Sequence, residues 1–406
     1  MFSSVRGWEV EDVIIVGAGP AGNNAALLLT QNGYKVTVID FRYDIGNKPC
    51  TGIVGKECAS KFPIPPDHIY REAQTATFIA PNGSELHIDT GTPQAYIIDR
   101  AKYVASFAQN AQYAGASYKL GERVRKVSVE GDTVQVTTDS QTYTSKSVIL
   151  ASGFGSPVVR NIGLGGVSDY VSGIQIQVKV GNLENLRVYL GEQNAPGFFS
   201  WAVPTRPEEA LVGLMTRKHS KEHLQSFLES LQNQNIVKNV IGQPVTWGIP
   251  LRPLKQTYSE RILVIGDAAG QVKPTTGGGI YYALMASSIA AKVLSAALHK
   301  DDLSAKSLSP YERQWKQLLS AELESGYSAR RLYEYLNDRQ INSIMKHAKT
   351  KRFTDQIIYS EDLAFDWHSN LIMKMINYPG IHNVLRLINP IFSKLANQTD
   401  IKTVQQ

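Results

Sequence analysis

The chain has 406 residues, 43% of them hydrophobic and 19% charged, which is enough to bury a large core and build two domains plus a tail. A net charge of +6, carried without any Lys/Arg run, argues against nucleic acid as a partner and leaves an anionic membrane surface or an acidic substrate open. Two cysteines, Cys50 and Cys58, are too few for a disulfide framework and lack zinc-site spacing, so a reducing, cytoplasmic setting without a bound metal is expected.

The first apolar run begins at Val13 after a short polar lead and stops within a few residues at glycines, unlike a signal peptide. Val13-Ile14-Ile15-Val16 has the continuous apolar character of a parallel strand covered on both faces. It enters Gly17-Ala18-Gly19-Pro20-Ala21-Gly22, a G-x-G-x-x-G turn, and then an Ala- and Leu-rich helix over Asn23 to Gln31. Gly17, Gly19 and Gly22 let backbone approach a pyrophosphate, and the free N–H groups of the helix start attract its charge. Asn32-Gly33 ends the helix, Tyr34 to Ile39 forms a second strand, and Asp40 closes it at the place where a carboxylate holds adenosine ribose hydroxyls. A carboxylate there also disfavours a 2′-phosphate.

Next comes Lys48-Pro49-Cys50-Thr51-Gly52, and after an alternating stretch from Thr75 to Ile88 the segment Ala95-Tyr96-Ile97-Ile98-Asp99-Arg100 opens a further helix. Arg100 is a candidate for the dinucleotide phosphates, against the plainer reading of a surface salt bridge at a helix start. Ser147-Val148-Ile149-Leu150 is another buried strand, running into Ala151-Ser152-Gly153. Alternation over Val171 to Val180, Arg187 to Leu190 and Phe198 to Val203 predicts a mainly antiparallel sheet.

Arg261-Ile262-Leu263-Val264-Ile265 repeats the buried-strand pattern and leads to Gly266-Asp267-Ala268-Ala269-Gly270, then Pro274, Gly277-Gly278-Gly279 and a long helix from about Ile280. This order resembles the "GD" segment of FAD-binding flavoproteins. The resemblance implies that Asp267 bonds the ribityl chain, and that the helix start near Gly277 and Gly278 points N–H groups at the flavin's pyrimidine edge, where reduced flavin carries negative charge. The weakly polar stretch from Tyr281 to Leu298 contains Ser287, Ser288 and Lys292, which would be costly in a bilayer, so no transmembrane helix is expected. Residues from Pro310 onward are helical in pattern. Within them Ile381, Val384, Leu385, Ile388, Ile391, Phe392 and Leu395 recur at helical spacing near Arg386 and Lys394, a stripe that either lies on a membrane surface or packs on the main body, with Pro390 bending it.

The expected fold is α/β. An FAD-binding Rossmann-like domain is built from segments 10–60, 95–160 and 255–305. A mainly antiparallel substrate domain comes from 61–94 and 161–254, and a helical C-terminal region covers 306–406.

The Lys48–Gly52 segment and Pro196-Gly197-Phe198-Phe199-Ser200-Trp201-Ala202-Val203-Pro204, together with the FAD segments, resemble the geranylgeranyl reductase family over roughly residues 12 to 300. That family's second motif reads P-x-x-Y-x-W-x-F-P. Pro196, Trp201 and Pro204 match, while Phe199 replaces the tyrosine and Val203 the phenylalanine, so no phenolic proton donor stands at 199. The resemblance implies an FAD-dependent saturation of isoprenoid double bonds, on a geranylgeranyl lipid, a quinone side chain or a tetrapyrrole ester. Lys48 then joins the cofactor residues, while Cys50, Phe199 and Trp201 are the catalytic candidates. Cys50 would give a proton or form a redox pair with Cys58, against the plainer reading of a buried thiol as a small inert hydrophobe. Phe199 and Trp201 would line an apolar channel and stabilise a tertiary cation that accepts hydride from reduced flavin, where the plainer reading is ordinary sheet core. A single dinucleotide motif leaves the electron donor as transient NAD(P)H or a ferredoxin-like carrier. Aromatic monooxygenases and flavin halogenases of the same fold are the rival reading.

Overall fold

The computed structural model describes residues 10–359 and 364–386. Its backbone divides into two compact units. The first is formed by residues 1–48, 99–170 and 248–323, and the second by 49–98, 171–247 and 324–406.

The first unit is a parallel sheet with helices packed on it. Its strands run in the order Ile262–Val264, Thr142–Leu150, Glu11–Val16, Val36–Asp40 and Ser117–Leu120, all parallel to their neighbours. The Val124–Glu130 and Thr133–Thr138 hairpin joins the Thr142–Leu150 strand antiparallel, and Tyr258–Ser259 adds an antiparallel edge. Residues 13–16, 36, 38–39 and 148–150 are buried, as expected for strands covered on both sides. The chain leaves the 11–16 strand toward the 36–40 strand on one side and returns to the 142–150 strand on the other. This reversal opens a crevice at the carboxyl ends of the strands.

The first helix starts earlier than its sequence pattern suggests, spanning Pro20–Gln31 with Pro20 at its opening position. Proline lacks the N–H that a helix start leaves unused, so the glycine turn can pass straight into the helix. Two asparagines on this helix are fully or nearly buried and satisfied. Asn23 Nδ2 donates to the carbonyls of Ala18 and Val104 and its Oδ1 accepts from Tyr118, while Asn24 Nδ2 donates to Ser287 Oγ (2.8 Å) and Ser288 Oγ (3.1 Å). Helix Ile280–His299 is long and apolar enough to cross a membrane, yet two thirds of that stretch is buried inside the protein. Its serines are satisfied there, by Asn24 and by the helix's own Leu284 carbonyl.

The second unit holds a seven-stranded sheet in the order Val237–Pro250, Tyr170–Val180, Glu209–Thr216, Phe199–Pro204, Leu186–Leu190, Thr75–Ile79 and Glu85–Asp89. The pairing of 186–190 with 75–79 is parallel; the other pairings for which the register is resolved are antiparallel. A smaller antiparallel sheet sets Ala95–Ile98 between Ile53–Gly55 and Ile69–Ala73.

This division corrects the expected boundaries. Residues 49–60 and 95–98 belong with the second unit because the 53–55 strand pairs with 95–97. The C-terminal region is helical, as expected. Helix Ala305–Tyr333 begins on the first unit, where Trp315 Nε1 donates to Thr257 Oγ1 and Tyr311 Oη to the Val264 carbonyl. Beyond it, Leu336, Ile341, Ile381 and Leu385 are buried against Leu86, Ile88 and Leu190 of the second unit. The described part of the C-terminal apolar stripe therefore packs inward. Ile388, Pro390, Ile391, Phe392, Lys394 and Leu395 lie outside the described residues.

Asn24→Ala should remove the polar tie between the first and the 280–299 helices. It leaves the Ser288 and Ser287 hydroxyls with their own-helix bonds only, and a loss of about 1–3 kcal/mol in urea unfolding is expected. No change in midpoint would show that these contacts carry no net stability.

Candidate active site

The crevice of the first unit is built where backbone meets backbone. Gly17 has φ +113, and a Cβ there would stand 2.3 Å from the Ala151 carbonyl oxygen; a Cβ on Gly22 would stand 1.9 Å from the Gly17 oxygen. Only glycine permits the turn, the neighbouring strand end and the helix to come this close. Gly19 differs: nothing lies within 4 Å of its Cβ position. It is the N-cap of the 20–31 helix and offers no side-chain cap, so the first helical N–H groups face open space, where an anion fits.

Asp40 is buried at the end of the adjacent strand. Its Oδ2 accepts from Ala18 N (2.8 Å) and its Oδ1 from Arg42 N (2.8 Å), which fixes the carboxylate against the glycine turn. An ionised carboxylate has about four acceptor sites, so two stay available for the hydroxyls of a ribose.

Two strands over from Gly17, the 262–264 strand ends in Gly266 (φ +66) and a short 3-10 turn over Gly266–Ala268. With adjacent strands about 4.8 Å apart, the strand ends carrying Asp40 and Asp267 are roughly 14 Å apart, a span suited to an extended dinucleotide. Asp267 Oδ2 pairs with Lys48 Nζ, which joins two residues of the expected cofactor set. Its Oδ1 lies 2.9 Å from the Cβ position of Gly279, the N-cap of helix 280–299, which again has no side-chain cap. Gly277 adopts φ +72, and Gly278 accepts from Lys273 N through its carbonyl; Pro274 is buried beside them. The glycine turn, Asp40, Lys48, Asp267 and the 277–279 helix start thus share one edge of one sheet. Their open amide ends and acceptor sites fit a flavin dinucleotide.

Arg100 is engaged by the protein's own backbone. Its buried guanidinium donates through Nη1 to the carbonyls of Gly46 (2.6 Å) and Lys48 (3.2 Å), so it holds the loop that presents Lys48. Asp99 caps the Arg100–Tyr113 helix by accepting from Lys102 N. Sequence reasoning also missed Gln271 and Tyr311. Gln271 is fully buried, its Oε1 accepts from Gly266 N (2.7 Å), and its Nε2 donates to Tyr311 Oη (2.9 Å), which donates to the Val264 carbonyl (2.8 Å). Complete burial pushes the Tyr311 phenol upward, so it stays a proton donor at any physiological pH. An isolated Gln and a Tyr forty residues later carry no periodic signal, and only the fold joins them.

In the second unit the catalytic candidates come together around one residue. Gln175, Gly213 and Trp201 occupy a single row across three strands. Gly213 leaves the space that the indole fills, since a Cβ there would lie 2.6 Å from Trp201 Cζ2. Trp201 Nε1 therefore reaches across it to Gln175 Oε1 (3.3 Å). The same Oε1 accepts from Thr51 Oγ1 (2.8 Å), and Gln175 Nε2 points to the Cys50 carbonyl at 3.5 Å. Phe199, two residues before Trp201 and on the same face, is half-buried, with ring centroids 6.0 Å apart; Val203 is fully buried. Cys50 is partly accessible, and its Sγ accepts from Gly52 N (3.4 Å). Cys58 is fully buried in the Lys56–Lys61 helix, the setting of a packing residue, and the two cysteines are not joined in a disulfide.

Tyr311→Phe should release Gln271 and loosen the turn that carries Asp267. The expected cost is about 1–3 kcal/mol, together with faster flavin loss on dilution, followed by released flavin fluorescence. Wild-type flavin retention in this variant would show that the buried Gln-Tyr chain does not support the cradle.

Residues 11–185 match the family model described as pyridine nucleotide-disulphide oxidoreductase. The digeranylgeranylglycerophospholipid reductase of Methanocaldococcus jannaschii is 27% identical over 396 residues, covering 90% of this chain and 99% of that protein. Among solved structures, a geranylgeranyl bacteriochlorophyll reductase-like protein of Thermoplasma acidophilum superposes with a TM-score of 0.81 at 24% identity, covering 94% of this chain and all of that one. The p-nitrophenol 4-monooxygenase of Pseudomonas putida reaches a TM-score of 0.68 at 17% identity, covering 86% of this chain and 96% of that one. With a flavin cradle on the first unit, the chain is an FAD-dependent oxidoreductase that is similar over nearly its whole length to a digeranylgeranylglycerophospholipid reductase.

Proposed function

We propose that this protein is an FAD-dependent reductase that saturates carbon-carbon double bonds in an isoprenoid chain, whether of a geranylgeranyl lipid, a quinone side chain or a tetrapyrrole ester. The observation that carries this reading is the meeting of two sequence-distant segments, Cys50-Thr51 and Phe199–Trp201, through Gln175. Its support from likeness is the M. jannaschii reductase, aligned over nearly its whole length.

Bound and reduced, FAD supplies hydride equivalents to carbon. The N–H groups of Ala21 and Gly22 would take its pyrophosphate, Asp40 its adenosine ribose, and Asp267 its ribityl chain, with Lys48 neutralising that carboxylate. Among the residues of the second unit, the Cys50 thiol is the proton donor to the alkene, its Sγ held in place by the Gly52 amide. Protonating one alkene carbon leaves positive charge on its tertiary neighbour, which the faces of Trp201 and Phe199 stabilise until a hydride reaches that carbon. Gln175 keeps the indole plane fixed during this step, and the Cys50 thiolate is reprotonated from solvent. Electrons arrive from transient NAD(P)H or a ferredoxin-like carrier. Because an isoprenoid lipid resides in a bilayer, we also propose that this is a cytoplasmic enzyme working peripherally at the inner face of the membrane. Co-sedimentation with anionic vesicles tests that point, and a protein that stays wholly in the supernatant counts against it.

The deciding experiment is anaerobic turnover of the reduced protein with a panel of geranylgeranyl lipids and a polyprenyl quinone. A mass gain of about two units per reduced bond without oxygen is expected; a gain of about sixteen units only after oxygen is admitted would assign the chemistry to hydroxylation instead. Trp201→Leu should lower kcat roughly tenfold or more, on the scale of a lost cation-stabilising face, with flavin content unchanged. Unchanged turnover in that variant would remove the indole from the mechanism.

A further inference from the structure

The first unit holds a cavity of about 520 Å³, a volume suited to a small-molecule ligand. Its lining shares no residue with the glycine turn, Asp40, Lys48, Asp267 or the 277–279 helix start, although Ala268 in its floor directly follows Asp267. Val159, Leu254 and Ala268 are buried and make that floor apolar.

The wall is the loop that leaves the Thr142–Leu150 strand. Gly155 adopts φ +79 there, and nothing lies within 4 Å of its Cβ position, so its backbone is open to a ligand. Two aromatic rings line the same cavity. Those of Phe154 and Tyr170 have centroids 5.1 Å apart, with their planes inclined at 42°. Phe154 is seated where Gly248 leaves room for it, since a Cβ on Gly248 would lie 2.2 Å from its ring. Tyr170 is 55% exposed, which leaves a large ring face available.

Arg160 is the one charged side chain in the lining, and no carboxylate joins it there. It makes no ion pair or hydrogen bond among the described residues, and its Nε lies 3.6 Å from the Cβ position of Gly166. Flat ring faces beside a guanidinium with five donors to offer select a ligand that carries an aromatic ring and a phosphate on one short frame. An aliphatic chain would leave the guanidinium unused, and a bare inorganic anion would leave the rings wet. We propose that this cavity binds a nucleotide monophosphate unit, as a second nucleotide site separate from the flavin cradle. Each half of NAD(P)H is such a unit, so the site seats the transient electron donor. That last assignment rests on the reductase reading, whereas nucleotide binding itself stands on the first unit alone.

The test uses the full-length, flavin-loaded protein. Adenosine monophosphate, oxidised nicotinamide mononucleotide and inorganic phosphate are each titrated by calorimetry, with released flavin fluorescence followed in the same samples. Saturable binding of at least one nucleotide is expected, with flavin retained and with phosphate at least tenfold weaker. Arg160→Gln should weaken the nucleotide tenfold or more, and Tyr170→Leu about fivefold, the scale of a lost stacking face. Gly166 lies outside the left-handed region, so Gly166→Leu fills the cavity without backbone strain and should also weaken binding. The proposal falls if neither nucleotide binds, if phosphate binds as tightly, or if all three variants bind as wild type does. It falls too if the nucleotide displaces flavin, which would place it in the cradle. Anaerobic flavin reduction by NADH or NADPH should slow in Arg160→Gln in step with the weakened binding; an unchanged rate would overturn the electron-donor assignment. None of these readouts involves an isoprenoid, so a failure of alkene reduction would sink the reductase reading and leave nucleotide binding standing.

Discussion

The cofactor half of the molecule depends on one constraint, the absence of a side chain at Gly17 and Gly22. The Gly17 carbonyl occupies the place where a Cβ of Gly22 would be, and the Ala151 carbonyl occupies that of Gly17. The 20–31 helix can therefore lie directly on the strand end it leaves, with its first amides turned toward the crevice. Everything else in that unit is arranged around this approach. Asp40 ties its carboxylate to the Ala18 amide within the turn, and Asn24 ties the same helix to the 280–299 helix, whose own start faces Asp267. A larger residue at either glycine would separate the strand end from the helix and leave the amides aimed at nothing in particular.

The second unit solves a different problem, how to hold a large aromatic side chain in one orientation on a sheet. Trp201 does so by spanning a neighbouring strand over Gly213 and ending on Gln175. A buried glutamine with several partners is a demanding group, since each unmet bond would cost about 1–3 kcal/mol. Here the demand works as a restraint, because Gln175 serves Trp201, Thr51 and the Cys50 backbone at once. The Trp201 indole and the segment that carries the Cys50 thiol are thereby set by a single side chain.

Neutral and charged contacts are both found around that sheet. Phe199 and Trp201 meet each other and the neutral amide of Gln175, which suits an apolar chain. Just before the 199–204 strand, Arg330 is buried on the Phe198 ring, and Arg217 and Arg331 both reach Glu334.

The sequence by itself determined the parts whose signal is local. The apolar runs at 13–16, 147–150 and 262–265, each feeding a glycine turn, mark strands and turns because strand burial and positive φ are written in neighbouring residues. The alternating stretches likewise read as an antiparallel sheet, and the Pro196–Pro204 and Lys48–Gly52 segments resembled one reductase family. Tertiary structure decided what depends on distant partners. It set Arg100 on the carbonyls of Gly46 and Lys48, moved residues 49–60 and 95–98 to the second unit through strand pairing, and folded the C-terminal helices onto existing cores. It also supplied Gln175, Gln271 and Tyr311, whose roles exist only because strands and helices far apart in the chain bring their partners within hydrogen-bond reach. Local pattern encodes which element forms, whereas the partner of a buried polar side chain is a property of the packing and has no fixed spacing to read.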